Sequence, residues 1–311
     1  MSKLIKRISK KLRRNQLVLF RNLEFTSPER YLKYLYNYYT GKKLNLINPI
    51  EFNEKIQWYK LYFQPKILNQ LVDKYEVRSY VEKKIGGKYL NELYGLYSRP
   101  EDIPFEELPE KYVLKATNTS GYNLVVTDNH SLNRKKTRKL LKKWLSKTRY
   151  YLRSREWAYK DVEPRLIAEK FLKEKGKAAL IDYKFYCFDG VAKFVDVHLD
   201  RDTVHKQGCY DVRFRKLPFG KNVNYESITS DLDKPSNFEE MVHLSETLAS
   251  KLPFVRVDFY SVNGKSIFGE MTFYPSGGRK DFFPDEYNKI IGDYFKLPKL
   301  KEGQRVITEL E

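Results

Sequence analysis

The stretch VRVDFYSVNGKSIFGEMTFYPSGG, residues 255–278, has the pattern of two β-strands joined by a turn at Asn263-Gly264. Each strand carries one acid, Asp258 before the turn and Glu270 after it, among mostly apolar and aromatic neighbours. A two-residue turn pairs Asp258 with Gly269 and turns Glu270 to the opposite face, because side chains alternate along a strand. Spacing alone therefore favours two unrelated acids on opposite faces.

The same two acids are also candidate ligands for a metal ion. Hard divalent cations take oxygen ligands, and Mg²⁺ is commonly held by one or two carboxylates together with substrate phosphates. Asp258 and Glu270 can share one ion only if the hairpin contains a three-residue turn or a one-residue bulge. The metal hypothesis thus makes a geometric demand on the hairpin.

Composition limits the possible partners of this 311-residue chain, which is long enough for one large domain or two ordinary ones. Its 59 basic and 40 acidic residues give a net charge of +19, which favours an anionic partner: nucleic acid, an anionic membrane surface, or a phosphorylated or acidic substrate. Cys187 and Cys209 have no metal-binding spacing, and we expect Cys187, in the apolar run KFYCF, to be a reduced core thiol and the location to be cytoplasmic. No stretch has the length and apolarity of a spanning helix or a secretory signal.

The first 16 residues contain seven Lys/Arg and no acid, with Leu4, Ile5, Ile8 and Leu12 on one helical face. Two interpretations stay open. The segment is either a solvated basic helix or a peripheral anchor on an anionic membrane surface.

The remaining pattern predicts helices first and strands later. We expect helices at 28–40, between a Ser27 cap and a Gly41 stop, and at 48–63, 71–87, 131–155 and 237–251. We expect strands at 89–98, 111–117, 122–127, 165–172, 178–188, 191–199 and 210–214, followed by the hairpin. This order indicates an α+β fold with at least two lobes. The predicted regions are a basic helical region (1–70), a small lobe (71–165) and a large antiparallel-sheet lobe (166–311).

Several segments together carry a resemblance that any one of them alone would not. They are IEFNEKIQWYKLY, VDKYEVRSYVEKKIG, KYVLKATNTSGYNLVV, PRLIAEKFL, DYKFYCFDGVAKF and the opening hairpin with its PSGG end. Their order over about residues 50–280 resembles the ATP-grasp superfamily, and more specifically its TupA-like branch, which is linked to bacterial surface-polysaccharide synthesis. The resemblance implies two lobes clasping ATP and favours a shared metal site in the hairpin.

The resemblance also implies roles for individual residues. Lysines that contact ATP phosphates match Lys74, Lys115 and Lys184. The phosphate-covering loop 118–123 includes Asn118, Ser120 and Gly121. The hinge that reads adenine and ribose matches Glu169, Lys170, Phe171 and Leu172, and the strand after it brings Asp182. Arg256 matches the arginine that stabilises the acyl-phosphate, and the implied catalytic residues are Arg256, Lys115 and Lys184. The metal-binding positions match Asp258, Glu270 and Thr272.

Two positions depart from the usual pattern of the superfamily. The phosphate loop has the single glycine Gly121 where several are usual, with Tyr122 beside it, and Thr272 stands where Asn is preferred. His198 and Arg201, outside these motifs, lie in the strand region expected near the cleft and are candidate substrate contacts.

The implied activity is an ATP- and Mg²⁺-dependent carboxylate–amine ligation through an acyl-phosphate. The carboxylate would be a uronic acid of a surface polysaccharide or of its nucleotide-sugar precursor, and the amine an amino acid, an amino alcohol or an amino sugar. The alternative is a glycosyltransferase of the same pathways. Such an enzyme would not need Lys115, Glu169 and the phosphate loop together. A nucleic-acid-binding protein would account for the charge but not for Asp258 and Glu270.

Overall fold

The computed structural model of the chain describes residue 17 and residues 27–146, 150–176, 179–199, 204–221, 225–229 and 232–310. Its helices in this part of the chain are α1 (Pro28–Thr40), α2 (Phe52–Tyr62), α3 (Ile67–Val72), α4 (Val77–Ile85), α5 (Arg134–Leu145), α6 (Tyr150–Ser154), α7 (Phe238–Ala249) and α8 (Glu286–Tyr294). Its strands are β1 (Leu93–Tyr97), β2 (Tyr112–Ala116), β3 (Asn123–Val126), β4 (Leu166–Lys170), β5 (Asp182–Phe188), β6 (Val191–Leu199), β7 (Lys206–Tyr210), β8 (Glu226–Ser227), β9 (Phe254–Val262) and β10 (Lys265–Thr272).

The strands form two separate sheets, which gives the α+β architecture. The smaller sheet has the order β1-β4-β2-β3 and is antiparallel throughout. The larger sheet has the order β10-β9-β5-β6-β7-β8 and is antiparallel except for its last pair. The chain passes from one sheet to the other between Lys170 and Asp182, so β4, which the sequence assigned to the large lobe, lies in the sheet of the small lobe.

The described N-terminal helices share a core with the large sheet. Ser27 Oγ accepts a hydrogen bond from the Arg30 backbone N–H at the start of α1, and Gly41 ends that helix at φ 74°. In α2, the fully buried Phe52 ring contacts the rings of Tyr186, Phe188 and Phe254 from the large sheet. Helix α2 is therefore part of the large lobe rather than a separate region.

A second, smaller core lies between the small sheet and the basic helix α5. It contains Leu114, Ala116 and Leu166 from the sheet and Leu141 and Trp144 from the helix. The lysines and arginines of α5 lie mostly outside this core, since its buried residues are Thr137, Leu141 and Trp144. The small lobe therefore presents a basic helix on its outer side.

The predicted helix at 71–87 is wrong as a single element. It is split into α3 and α4 because the Asp73 carboxylate accepts hydrogen bonds from the backbone N–H groups of Tyr75 and Glu76, which closes a turn between the two helices. Tyr75 lies in that turn and is half-buried, with the Arg165 guanidinium over its ring. The break matters because it places Lys74 at the end of the small sheet.

Two further predicted elements differ from the structure. The strand expected at 210–214 is a turn instead, in which the Asp211 carboxylate accepts from the Arg213 and Arg215 backbone and Phe214 has φ 65°. The preceding residues Lys206–Tyr210 form the strand. The predicted helix at 131–155 is α5 and α6 on either side of residues 147–149, which lie outside the described part.

None of the helices in the described residues is long and apolar enough to cross a bilayer. The proposed anchor at residues 1–16 lies outside the described residues, as does Arg201.

Candidate active site

The hairpin of β9 and β10 contains the bulge that a shared metal site requires. Asn263 and Gly264 form a two-residue turn with φ 51° and 76°, and Val262 pairs with Lys265. The register then shifts between Phe268 and Glu270, so that Glu270, not Gly269, lies opposite Asp258. Because directly paired residues share a face, the two acids point to the same side of the large sheet.

Arg256 lies at the centre of the cluster that these acids form. Its Nε is 2.6 Å from Asp258 Oδ1, and its Nη2 is 2.7 Å from Asp258 Oδ2 and 2.8 Å from Glu270 Oε1. Nη2 also lies 3.1 Å from Thr272 Oγ1, and Lys184 Nζ lies 2.6 Å from Asp258 Oδ2. One guanidinium thus joins all three predicted metal positions.

The charges of this cluster stabilise one another. Burial alone would lower the pKa of Arg256, but Asp258 and Glu270 outweigh it and raise that pKa. Burial alone would raise the pKa of Glu270, but the cations Arg256, Lys74 and Lys184 outweigh it and hold that pKa below its usual range. Glu270 therefore stays ionised at neutral pH and can act as an anionic ligand.

The donor set of the hairpin fits Mg²⁺. Two carboxylates and the Thr272 hydroxyl converge on a single cationic group, and all three offer hard oxygen atoms. Among the described residues no group of three or more His, Cys, Asp and Glu is arranged to hold a metal. Mg²⁺ usually keeps waters and substrate phosphates among its ligands, so it needs only one or two carboxylates from a protein.

Two lysines, one in the small sheet and one in the turn between α3 and α4, line the same cavity. Lys115 Nζ, in β2, lies 2.6 Å from Glu169 Oε2 in β4, and Arg78 lies 3.6 Å from the other oxygen of that carboxylate. Lys74 Nζ donates to the Thr119 carbonyl oxygen of the predicted phosphate loop. Burial lowers the pKa of Lys74 despite the nearby acids. The two lysines are therefore held in place by an acid and by the loop.

The predicted phosphate loop joins β2 to β3 at the mouth of the cavity. Ser120 and Gly121 line the cavity, and Gly121 has φ 80°, a conformation that favours glycine. Asn118 is buried outside the lining, and its Oδ1 has no hydrogen-bond partner among the described residues. The Tyr122 ring stacks on Trp144 with centroids 5.6 Å apart, which ties one end of the loop to the core of the small lobe.

The predicted hinge residues have different positions. Glu169 and Leu172 line the cavity, whereas Phe171 does not. The Lys170 side chain points to Glu92 at 2.8 Å, and its carbonyl accepts from Asn91 Nδ2 at 2.9 Å. Asp182 is buried behind Lys184, whose Nζ lies 3.5 Å from Asp182 Oδ2.

These groups meet in one cavity of about 370 Å³ between the two sheets. The small lobe contributes Lys74, Lys115 and Glu169, and the large lobe contributes Lys184, Arg256, Asp258 and Glu270. The cavity also has lining residues that the sequence did not single out, namely Arg78, Asp196, His205, Gln207, Lys221, Tyr225 and Lys280. His198, a candidate from the sequence, lines the cavity as well. Asp196 is two residues before His198 in β6, and strand alternation could have predicted that it shares the face of His198.

Comparison with known proteins agrees with this arrangement. The model of the TupA-like ATP-grasp family matches residues 54–296, which is most of the chain. The chain belongs to that family. Membership confirms the family and the ATP-grasp fold that the sequence resemblance predicted.

Two of the solved structures with a distant likeness to this chain are titled ligases. D-alanine–D-alanine ligase from Bacillus anthracis, complexed with ATP, is 14% identical over 67% of this chain and 55% of its own, with a TM-score of 0.39. Phosphoribosylamine–glycine ligase from Thermotoga maritima is 13% identical over 68% of this chain and 50% of its own, with a TM-score of 0.40. The alignments thus span only 50–55% of those proteins, and the family assignment rests on the family match. The curated proteins include no significant match.

Proposed function

We propose that the protein is an ATP- and Mg²⁺-dependent, ADP-forming carboxylate–amine ligase. The observation that carries the proposal is the convergence of the hairpin cluster around Arg256 and the Lys115–Glu169 pair on one cavity between the two sheets. Two lobes that each contribute charged groups to a shared cleft suit a nucleotide whose phosphates must be neutralised from both sides. Membership in the TupA-like ATP-grasp family supports the same class of reaction.

The chain's own residues would divide the work by position. Lys74 and Lys115 would neutralise the ATP phosphates from the small lobe, with the backbone N–H groups of the 118–123 loop around them. Lys184 would contact phosphate from the large lobe. The hinge, with Glu169 and the backbone near Leu172, would orient adenine and ribose. Each lysine already has a carboxylate or carbonyl partner that fixes its direction.

Asp258, Glu270 and Thr272 would hold Mg²⁺, which when bound neutralises charge on the transferred phosphoryl group. Arg256 would stabilise negative charge on the acyl oxygen as the substrate carboxylate is phosphorylated and then attacked by an amine. Its position between two acids holds the guanidinium in one orientation at the wall of the cavity. No protein nucleophile is required by this chemistry.

The proposed carboxylate substrate is a uronic acid of a bacterial surface polysaccharide or of its nucleotide-sugar precursor. The branch to which the chain belongs suggests this, and the cationic lining of the cavity supports an anionic sugar. In particular, Arg78, Lys221 and Lys280 line the cavity in addition to the groups already assigned to ATP. A glycosyltransferase would not need the Lys115–Glu169 pair, so this pair favours the ligase.

The proposal is tested by measuring ADP release from ATP and Mg²⁺ with a panel of uronic acids and amines. We expect release that requires one acid and one amine together, and that is lost in a Glu270→Gln variant. Release that is independent of both co-substrates would point to a simple ATPase. Transfer of sugar from a nucleotide sugar without ADP formation would establish the alternative.

A further inference from the structure

The large sheet orders the cavity from the hinge outward. Strand β5 is the first strand after the hinge, and it begins at Asp182. Further along it, Lys184 pairs with Asp258 of the proposed metal position, and Tyr186 pairs with Arg256. Tyr186 therefore lies about 7 Å farther from the start of β5 than Lys184, on the same face. With adenine at the hinge and the phosphates at the metal position, the end of the cavity at Tyr186 is left for the carboxylate substrate.

Lys221 lies at this end of the cavity and is almost completely buried. It is 5% exposed, and its Nζ lies 3.0 Å from the Tyr186 hydroxyl oxygen. The rings of Phe52, Tyr186 and Phe282 surround the amine, with centroids 5.2, 5.1 and 4.9 Å from Nζ. An ammonium group has three N–H donors, and the Tyr186 hydroxyl is its one hydrogen-bond partner among the residues that the structure describes. Two donors of the Lys221 ammonium group can therefore bind a ligand.

No acid is paired with Lys221. Asp196 faces it from β6, but Gln207 Nε2 donates to both Asp196 oxygens, at 2.7 and 2.8 Å, and His198 Nε2 lies 3.1 Å from Oδ2. No ion pair in the described part of the chain includes Lys221. A buried amine without a paired acid is either neutral or receives its negative charge from a ligand.

The charge of Lys221 is finely balanced near neutral pH. Burial lowers its pKa to about 7, although the Asp196 carboxylate opposes this. The titratable groups that face it are Tyr186, Asp196, Cys209, Arg256 and Lys280. Burial raises the pKa of Tyr186 and that of Cys209, so both are neutral, and the cations Arg256 and Lys280 disfavour a charged lysine. An anion bound beside Lys221 would favour its charged form, so binding above pH 7 would take up a proton.

Lys280 gives this end of the cavity a second cation. It is exposed and lines the cavity, and its Nζ lies 5.4 Å from the centre of the Tyr225 ring. Ser276, in the loop just before it, lines the cavity as well. Within the described ranges Lys280 has neither a hydrogen bond nor an ion pair to an acid. Two cations without paired acids suit an anionic ligand and would repel an ammonium ion.

We propose that Lys221 and Lys280 form a subsite that binds an anionic group of the sugar substrate, either its carboxylate or a phosphate on its anomeric carbon. The inference rests on the proposed ligase function and deepens it by naming the residues that recognise the substrate. Because Tyr186 pairs with Arg256, the subsite lies beside the guanidinium assigned to the acyl oxygen. An anion bound there places the sugar next to the position where its carboxylate is phosphorylated.

The first test measures ADP release with the carboxylate that is active in the wild type. In Lys221→Met and in Lys280→Met we expect the KM for this acid to rise about 10- to 100-fold, with kcat and the KM for ATP within a few-fold of the wild type. The wild-type KM for the acid should also rise above pH 7, by up to about tenfold per pH unit, and Lys221→Met should lose this dependence. Lys193→Met removes an exposed lysine over the Tyr294 ring outside the cavity and is the matched control.

Two kinetic results would overturn the subsite. One is a KM for the acid that stays at the wild-type value in both variants. The other is an equal loss for ATP and for the acid, which would show that the lysines support the whole cleft rather than one substrate. Lys280→Met keeps the test decisive if Lys221→Met fails to fold, because Lys280 is exposed.

The second test measures binding without turnover. Glucuronate, glucose 1-phosphate and glucose are titrated calorimetrically into the full chain with Mg²⁺ and the non-hydrolysable β,γ-imido analogue of ATP. We expect at least one of the two anions to bind more tightly than glucose and to lose affinity about 10- to 100-fold in Lys221→Met. At pH 8, titrations in buffers of different ionisation enthalpy should show uptake of up to about one proton by the wild type and none by Lys221→Met.

The binding results identify the anion and separate the subsite from the ligase. A loss confined to glucuronate identifies the carboxylate as the bound group, and a loss confined to glucose 1-phosphate identifies the phosphate. Anions that bind no more tightly than glucose, or equally well to wild type and both variants, would overturn the subsite. Lys221-dependent binding in a protein that forms no ADP with any acid would refute the ligase and leave the subsite standing.

Discussion

Glu270→Gln separates the chemistry of the hairpin from its stability. The Glu270 side chain is 36% exposed and has one ion pair, to Arg256 at 2.8 Å, and one hydrogen bond, from Thr272. A partly exposed ion pair contributes about 0–1 kcal/mol to the free energy of unfolding, and the amide of Gln can keep one of the contacts. We therefore expect the variant to unfold within about 1 kcal/mol of the wild type.

The expected effect on turnover is much larger. Two unit charges about 4 Å apart interact by about 4 kcal/mol at an effective dielectric constant of about 20. If Glu270 neutralises bound Mg²⁺ at about this strength, its loss lowers kcat/KM for ATP by about 10³-fold. The assay is coupled ADP release at several Mg²⁺ concentrations, with urea unfolding of the same preparation. Glu286→Gln removes an exposed acid outside the cavity and should change neither quantity.

Asp258→Asn gives the contrasting result. Asp258 is 2% exposed and faces both Arg256 and Lys184, so removing its charge takes the 2.6 Å carboxylate partner from the buried Lys184 and one of two carboxylate partners from Arg256. This costs about 3–5 kcal/mol of stability as well as turnover.

A Glu270→Gln variant with turnover within about tenfold of the wild type at all Mg²⁺ concentrations would refute the metal assignment.

Three further predictions follow from other parts of the molecule. Lys115→Met should raise the KM for ATP and lower kcat, since Glu169 also loses its 2.6 Å partner; wild-type kinetics would make Lys115 a structural lysine. Lys221→Met should flatten the pH dependence of stability, because the pKa of Lys221 in the folded state, about 7, lies below its value in the unfolded state. The free energy of unfolding of the wild type therefore rises between pH 7 and about 10, by up to about 1.4 kcal/mol per pH unit more than that of the variant. Equal slopes of the two proteins in urea unfolding would contradict this. A chain lacking residues 1–16 should no longer sediment with anionic vesicles at low salt, because each basic residue near the surface contributes roughly 1 kcal/mol of binding free energy, yet it should keep ADP release. Equal vesicle binding by both chains would place the anchor elsewhere.

The sequence predicts the parts of the site that depend on local pattern. The helix from Pro28 to Thr40 follows from the Ser27 cap and Gly41, and the hairpin follows from Asn263-Gly264. The family follows from the order of several motifs, each weak alone. The cap and turn signals are contained within short segments, and the order of the motifs is read along the chain, so none of them depends on how distant segments pack.

The sequence does not predict the features that tertiary contacts decide. The bulge at Gly269 is one, because a Cβ at that position would lie 3.1 Å from the Asp258 carbonyl oxygen, a contact that only the folded hairpin reveals. Lys221 is another, because it follows an irregular segment with no periodicity, and its burial depends on rings from three separate segments of the chain. The turn at Asp73 shows the same limit, since its helical pattern continues through a break made by one side chain.

The Arg256 cluster bears on why the hairpin holds acids among apolar neighbours at all. Buried ion pairs contribute little net stability, because desolvation of the charges offsets most of their attraction, and apolar residues of similar size often stabilise a protein more. Arg256, Lys184 and Asp258 nevertheless occupy the centre of the large sheet, where β5 and β9 are flanked by aromatic side chains. Stability does not account for charged residues there. The charged residues are accounted for if the cluster of one guanidinium and two carboxylates binds a cation and a phosphoryl group in the cleft. This functional explanation is the strongest physical reason to place the chemistry at the hairpin.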